Sequence, residues 1–146
     1  MKPPLLFAAA VLLALLSPAA SAAKCSISAS GASFGVYDVF SAAANNTGIA
    51  ALSVDCQGAS ASVALSQGYS GNYAARQMRS GSNRLYYNLY TSAARSVVWG
   101  DGSGVSRTLP AANNQITSLT VFGQIPAGQD AAVGSYSDHI TVIVNF

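Results

Sequence analysis

The chain contains no glutamate, and only 8% of its 146 residues are charged. It has one histidine, one tryptophan and two cysteines. Each scarcity narrows the chemistry. Five scattered aspartates (Asp38, Asp55, Asp101, Asp130, Asp138) offer no paired carboxylates of the kind that flank a glycosidic bond. Two cysteines and His139 give too few ligands, at no recognised spacing, for a metal centre. Ser137, Asp138 and His139 have the composition of a triad but not its geometry. Neighbours on a strand point to opposite faces, so Asp138 cannot orient His139 from the side on which Ser137 would be activated. These absences argue against an enzyme and against a cofactor.

Apolar runs are equally scarce, with one exception at the start. Lys2 is followed by Leu5 to Leu16 (LLFAAAVLLALL), a break at Ser17-Pro18, and small residues at Ala20 and Ala22. This is the layout of a secretory signal peptide over residues 1–22, with cleavage after Ala22 or Ala23. The run is short for a membrane span of about 20 residues. Export through the periplasm to the cell surface is the expectation, with residues 23–146 as one domain.

Over that domain six basic residues (Lys24, Arg76, Arg79, Arg84, Arg95, Arg107) face the five aspartates, so charge supports neither a nucleic-acid nor a membrane-surface role. Cys25 and Cys56, in an oxidising compartment, read as one disulfide. All thirteen glycines lie beyond the leader and punctuate short segments rich in Val, Ile, Tyr and Thr. The candidate strands are Cys25–Ser30, Gly48–Cys56, Ser62–Ser66, Arg84–Tyr90, Val97–Trp99, Ser106–Leu109, Ile116–Gln124 and Tyr136–Phe146. Short strands with regular turns predict an all-β sandwich or barrel. Ala42 to Ala44 and Tyr73 to Met78 have the composition for a helical turn or two.

Alternation assigns faces. Ala50, Leu52, Val54 and Cys56 form the expected core face of one strand, with Cys25 opposite on the first. Gly134 to Phe146 reads as a terminal strand whose Ile140, Val142, Val144 and Phe146 share a face. With nothing after it to cover its edge, it is expected to accept a strand from a partner. Arg76, Arg79 and Arg84 with Tyr69, Tyr73, Tyr86 and Tyr87 form the basic–aromatic concentration. It reads either as a carbohydrate or nucleic-acid face or as arginine stems laid over a sheet. Gly100 to Gly104 reads as a hairpin loop rather than a phosphate loop, and Asn45-Asn46-Thr47 fits a glycosylation sequon.

Several stretches carry a resemblance when read in order. They are Phe34-Gly35-Val36-Tyr37; Val54-Asp55-Cys56; Tyr73 to Gly81 with Arg76, Met78 and Arg79; Leu85 to Tyr90 with Tyr87; Trp99-Gly100-Asp101; Val121 to Gln129; and Gly134-Ser135-Tyr136-Ser137-Asp138. The chain resembles the spore coat protein U domain family, which includes subunits of archaic chaperone–usher pili. The resemblance implies an immunoglobulin-like Greek-key β-sandwich lacking its final strand. It implies pairing of Cys25 with Cys56 between the first two strands, and structural roles for Phe34, Tyr37, Tyr87, Trp99 and Tyr136. It also implies a periplasmic chaperone, an outer-membrane usher and other pilus subunits as partners through strand complementation, with no nucleic acid. One departure stands out. Only Ala23 and Lys24 separate the expected cleavage sites from Cys25, too short a segment to donate as a strand. The expectation is a non-catalytic surface subunit, at a fibre tip or otherwise accepting without donating. A spore coat or extracellular matrix protein and a secreted carbohydrate-binding module are the alternatives.

Overall fold

The computed structural model describes residues 22–146, so the expected signal peptide lies outside the described residues except for Ala22. Ten strands follow: β1 (Lys24–Ala29), β2 (Ile49–Gln57), β3 (Ala61–Leu65), β4 (Arg76–Ser80), β5 (Asn83–Tyr90), β6 (Val98–Trp99), β7 (Ser106–Arg107), β8 (Leu109–Ala111), β9 (Gln115–Gln124) and β10 (Val142–Asn145). The larger sheet has the order β1-β2-β9-β5-β6-β7, with β4 paired to β5. The smaller sheet has the order β10-β3-β8. The two enclose a core in which Val54, Cys56, Val63, Leu65, Trp99 and Ile125 are almost wholly inaccessible. The fold is therefore an all-β sandwich.

Alternation placed the long strands well. Ala50, Leu52, Val54 and Cys56 all face inward from β2, as do Leu85, Tyr87 and Leu89 from β5. Cys25 lies opposite Cys56 in the antiparallel β1–β2 register, and their sulfurs form the disulfide.

Four local expectations are corrected. Tyr73 to Met78 is not helical: Arg76 to Ser80 pairs with Asn83 to Tyr87 as a hairpin. Ala42 to Ala44 forms bends rather than a helical turn. The segment Ser106–Leu109 is not one strand but two, because the chain leaves the larger sheet after Arg107 and joins the smaller at Leu109. Gly100 to Gly104 does not close a hairpin, since the strands it joins, β6 and β7, run parallel. Pro110 sits in β8, at an edge of the smaller sheet, where its missing N–H removes no ladder bond.

That crossover at Thr108 closes one side of the sandwich. On the other side β1 ends the larger sheet and β10 ends the smaller one, and no strand of the described residues lies between them.

Candidate functional site: a groove between two free edges

A groove of about 380 Å³ opens on that unclosed side. One wall is Ala29 to Ala32 with Phe34, running on from β1, and the other is Tyr136 to Ile140 with Val142, leading into β10. Its floor is the core itself: Leu52, Leu65, Met78, Tyr87, Leu89 and Val121. A second cavity of about 950 Å³ shares Ala32, Phe34, Met78 and Tyr136 with the first and runs on between residues 32–40 and 131–136. At its rim Val36, Phe40 and Val133 are more than nine-tenths exposed. The core is thus roofed incompletely along one line. The apolar Val36 and Phe40 were the sequence signal for this rim, and alternation could not find them because the segment is irregular.

Each wall is fixed by specific contacts. The β1 wall is stapled by the disulfide at Cys25. Beyond β1, the Ser30 backbone N–H donates to Ala51 O at 2.9 Å, and Ala51 N–H donates to Ser30 Oγ at 2.8 Å. Phe34 sets its ring edge-on to Tyr87 with centroids 5.8 Å apart. The glycines Gly48 and Gly123 lie beneath that ring, where any Cβ would collide with it. Gly35 adopts a left-handed φ of +65° just before the turn to Tyr37. The Tyr37 hydroxyl donates to Pro126 O at 2.8 Å and accepts from Gln129 N–H at 3.0 Å.

The opposite wall is latched rather than laddered. Ser137 exchanges two backbone hydrogen bonds with Arg79 on β4, at 2.8 and 3.0 Å. Asp138 accepts from the Tyr87 hydroxyl at 2.7 Å, the Tyr69 N–H at 2.9 Å and the His139 N–H at 2.7 Å. Burial, and then the hydrogen bond to Asp138, push the Tyr87 phenol well above its ordinary value. Tyr136 donates to Ala132 O at 2.9 Å, and Gly134 lies against Ser80 Oγ. The ladder β10 shares with β3 begins at Val142↔Leu65. The expected strand Tyr136–Phe146 is therefore cut to Val142–Asn145, because the Ser137 and Asp138 bonds pull its first half toward β4 and β5. Ile140, Val142 and Val144 are half-buried against the core, whereas Phe146, beyond β10, is 60% exposed.

The basic–aromatic concentration divides. Arg76, Tyr73 and Tyr87 are buried, so they belong neither to a recognition face nor to a layer of arginine stems on the sheet surface. Arg76 donates to Ser66 O (3.0 and 2.7 Å), Trp99 O (2.7 Å) and Asn88 Oδ1 (2.9 Å), over the Tyr73 ring. Burial lowers its pKa. Gly100 follows Trp99 with no room for a side chain between Ser106 and Tyr73. Asp101 accepts from Ser103 N–H (2.8 Å) and Oγ–H (2.6 Å), which hold its carboxyl below the usual range. Asn45 uses its amide to bond Phe34 O at 2.8 Å and accepts from Thr47, so the sequon side chain is already engaged. Among the described residues no three His, Cys, Asp or Glu side chains gather as metal ligands.

The family model of the Spore Coat Protein U domain matches residues 9–143. The chain belongs to the Spore Coat Protein U domain family. It is 32% identical over 108 residues to Protein U of Myxococcus xanthus, an overlap of 68% of this chain and 60% of that protein. It thus spans less than two thirds of the relative's length. Its fold is similar to that in the crystal structure of the CsuC–CsuE chaperone–tip adhesion subunit pre-assembly complex from archaic chaperone–usher Csu pili of Acinetobacter baumannii. There the TM-score is 0.59 and the identity 22%, over 86% of this chain and 40% of that one.

Proposed function

We propose that this Spore Coat Protein U domain protein is a non-catalytic structural subunit of a secreted bacterial surface assembly, built to accept a β-strand from a partner. The observation that carries the reading is the groove between the free edges of β1 and β10, floored by core residues. An inserted strand would pair with the open edge of β10 and cover the groove floor. Each fully covered aliphatic side chain would gain roughly 1.5–3 kcal/mol. An archaic chaperone–usher pilus supplies such strands, first from a periplasmic chaperone at an outer-membrane usher and then from a neighbouring subunit. Residues 1–22 act as the signal peptide in this reading. With β1 beginning at Lys24 and Cys25 bonded to Cys56, the mature chain accepts a strand and donates none, the position of a tip subunit serving attachment and biofilm formation.

Membership of the Spore Coat Protein U domain family supports a second reading within structural proteins, a spore coat or extracellular matrix component. Periplasmic expression of the chain alone, followed by size-exclusion chromatography and intact mass, separates the two. Aggregation or degradation rescued by a strand-donating chaperone or donor peptide is the result expected for the fibre subunit. A folded, disulfide-bonded monomer would instead favour the coat protein.

A further inference from the structure

We propose that the outward face of the β4–β5 hairpin binds an acidic polysaccharide, with Arg79 and Arg84 taking its carboxylates and Tyr86 its sugar rings. This stands apart from strand acceptance. Met78, Leu85 and Tyr87 are buried on one face of the hairpin, while Gln77, Arg79, Arg84 and Tyr86 alternate onto the other.

The register sets Arg79 directly opposite Arg84, and Gln77 opposite Tyr86. Like charges placed directly across a strand pair destabilise it, yet both guanidiniums are held in place. Arg79 lies 5.2 Å from the Tyr69 ring centroid and donates to Tyr69 O at 3.1 Å. Arg84 donates to Gln77 Oε1 at 2.9 Å. Other arginines are spent elsewhere: Arg76 is buried, and Arg95 donates to Gly123 O, Ala93 O and Asn46 O. Of the nearby acids, Asp138 has its oxygens bonded to Tyr87, Tyr69 and His139, and the exposed Asp130 follows Gln129. The Gln129 amide accepts from Tyr86 N–H at 2.7 Å and donates to Tyr86 O at 2.9 Å, fixing the backbone from which that ring projects. Tyr69 and Tyr86 remain 53% and 46% exposed.

Two fixed guanidiniums on residues directly opposite in the ladder, with backbones one strand spacing of about 5 Å apart, suit carboxylates on a polymer. Holding them beforehand removes part of the ordering cost of binding. A half-exposed phenol ring offers the apolar surface that a sugar face covers. A neutral protein surface would bury both charges unpaired. Two arginines on a nearly neutral chain supply too few phosphate contacts for nucleic acid.

The test is affinity electrophoresis and calorimetry of the secreted protein, held folded by a donor peptide in the groove, with polygalacturonate, dextran, polyaspartate and oligo-dT. The expected result is binding to polygalacturonate alone, weakening with salt. Arg84→Ala and Tyr86→Ala should each reduce it at least tenfold, while Arg107→Ala leaves it unchanged. Thermal unfolding checks that the variants stay folded, and Arg84→Lys supplies a milder variant that keeps the charge and loses part of the affinity. Equal binding to polyaspartate or oligo-dT, indifference to the variants, or no binding to polygalacturonate would each overturn the proposal.

Discussion

Arg76 and Trp99 are joined by a 2.7 Å hydrogen bond from the buried guanidinium to the tryptophan's backbone carbonyl, and the indole N–H of Trp99 in turn donates to Val63 O at 2.9 Å. Through these two residues β4, β6 and β3 are tied together across both sheets. Among the described residues no carboxylate hydrogen-bonds the cation; carbonyl oxygens and the Tyr73 ring surround it. Arg76→Met, which keeps the bulk, leaves the Ser66, Trp99 and Asn88 oxygens without that donor. At about 1–3 kcal/mol for a buried group left unpaired, the loss should exceed 2 kcal/mol in urea denaturation. A loss under 0.5 kcal/mol would show that these bonds contribute little.

The buried phenols predict alkaline instability. Burial raises the pKa of Tyr73, Tyr87 and Tyr90. Above pH 10 the unfolded chain has released those protons while the folded chain retains them. Stability is then full below pH 10 and falls as pH rises, by up to about 1.4 kcal/mol per pH unit for Tyr87. Absorbance near 295 nm should show fewer than the chain's seven tyrosines ionising before unfolding. Smooth titration of all seven in the folded state would contradict this.

Removing the disulfide with Cys25→Ser and Cys56→Ser should cost roughly 3–4 kcal/mol for a sequence separation of 31 in the chain-entropy picture. Beyond stability, β1 should lose amide-exchange protection first, since its only ladder is to β2 and its side chains are mostly exposed. Unchanged protection would mean that the β1–β2 ladder suffices.

Gly68 has φ +66°, and a Cβ there would run into the Asp138 carboxylate. Gly68→Ala should therefore cost about 1–3 kcal/mol through backbone strain and displacement of the Tyr87–Asp138 bond. Tyr87→Phe removes the same bond without strain and should cost less. Equal losses would place the whole effect in the hydrogen bond.

Val142→Asp should abolish capture of a donor strand or chaperone while leaving the disulfide intact, because Val142 is half-buried on the groove wall. Ile143→Asp, on the opposite face of β10 and 40% exposed, is the control and should retain capture. Pull-down with a donor peptide reads both. Retained capture by Val142→Asp would count against the groove.

The long strands were legible because alternation survives wherever one face is buried: Leu52, Val54 and Cys56 on β2, and Leu85, Tyr87 and Leu89 on β5. β4 was hidden by residues that favour helices in isolation, Ala74 to Met78, whose pairing with β5 overrides that preference. Arg76 misled because a charged side chain ordinarily stays outside. Read on a strand, it shares the face of Met78. The terminal strand was overextended because Ser137 and Asp138 fit a strand locally but bond to β4, Tyr69 and Tyr87, far away in sequence. The groove floor was readable only in part, as it gathers Leu52, Leu65, Met78 and Val121 from four different strands.

The closed side of the sandwich, where the chain passes from β7 to β8 at Thr108, gives any contact made through the open side a polarity. A groove and an inserted strand are different surfaces, so their union is heterologous rather than a two-fold match of like with like. Copies that carry both surfaces extend indefinitely. A copy that carries only the groove ends the row, and its abundance relative to the other subunits would then set how long the rows grow.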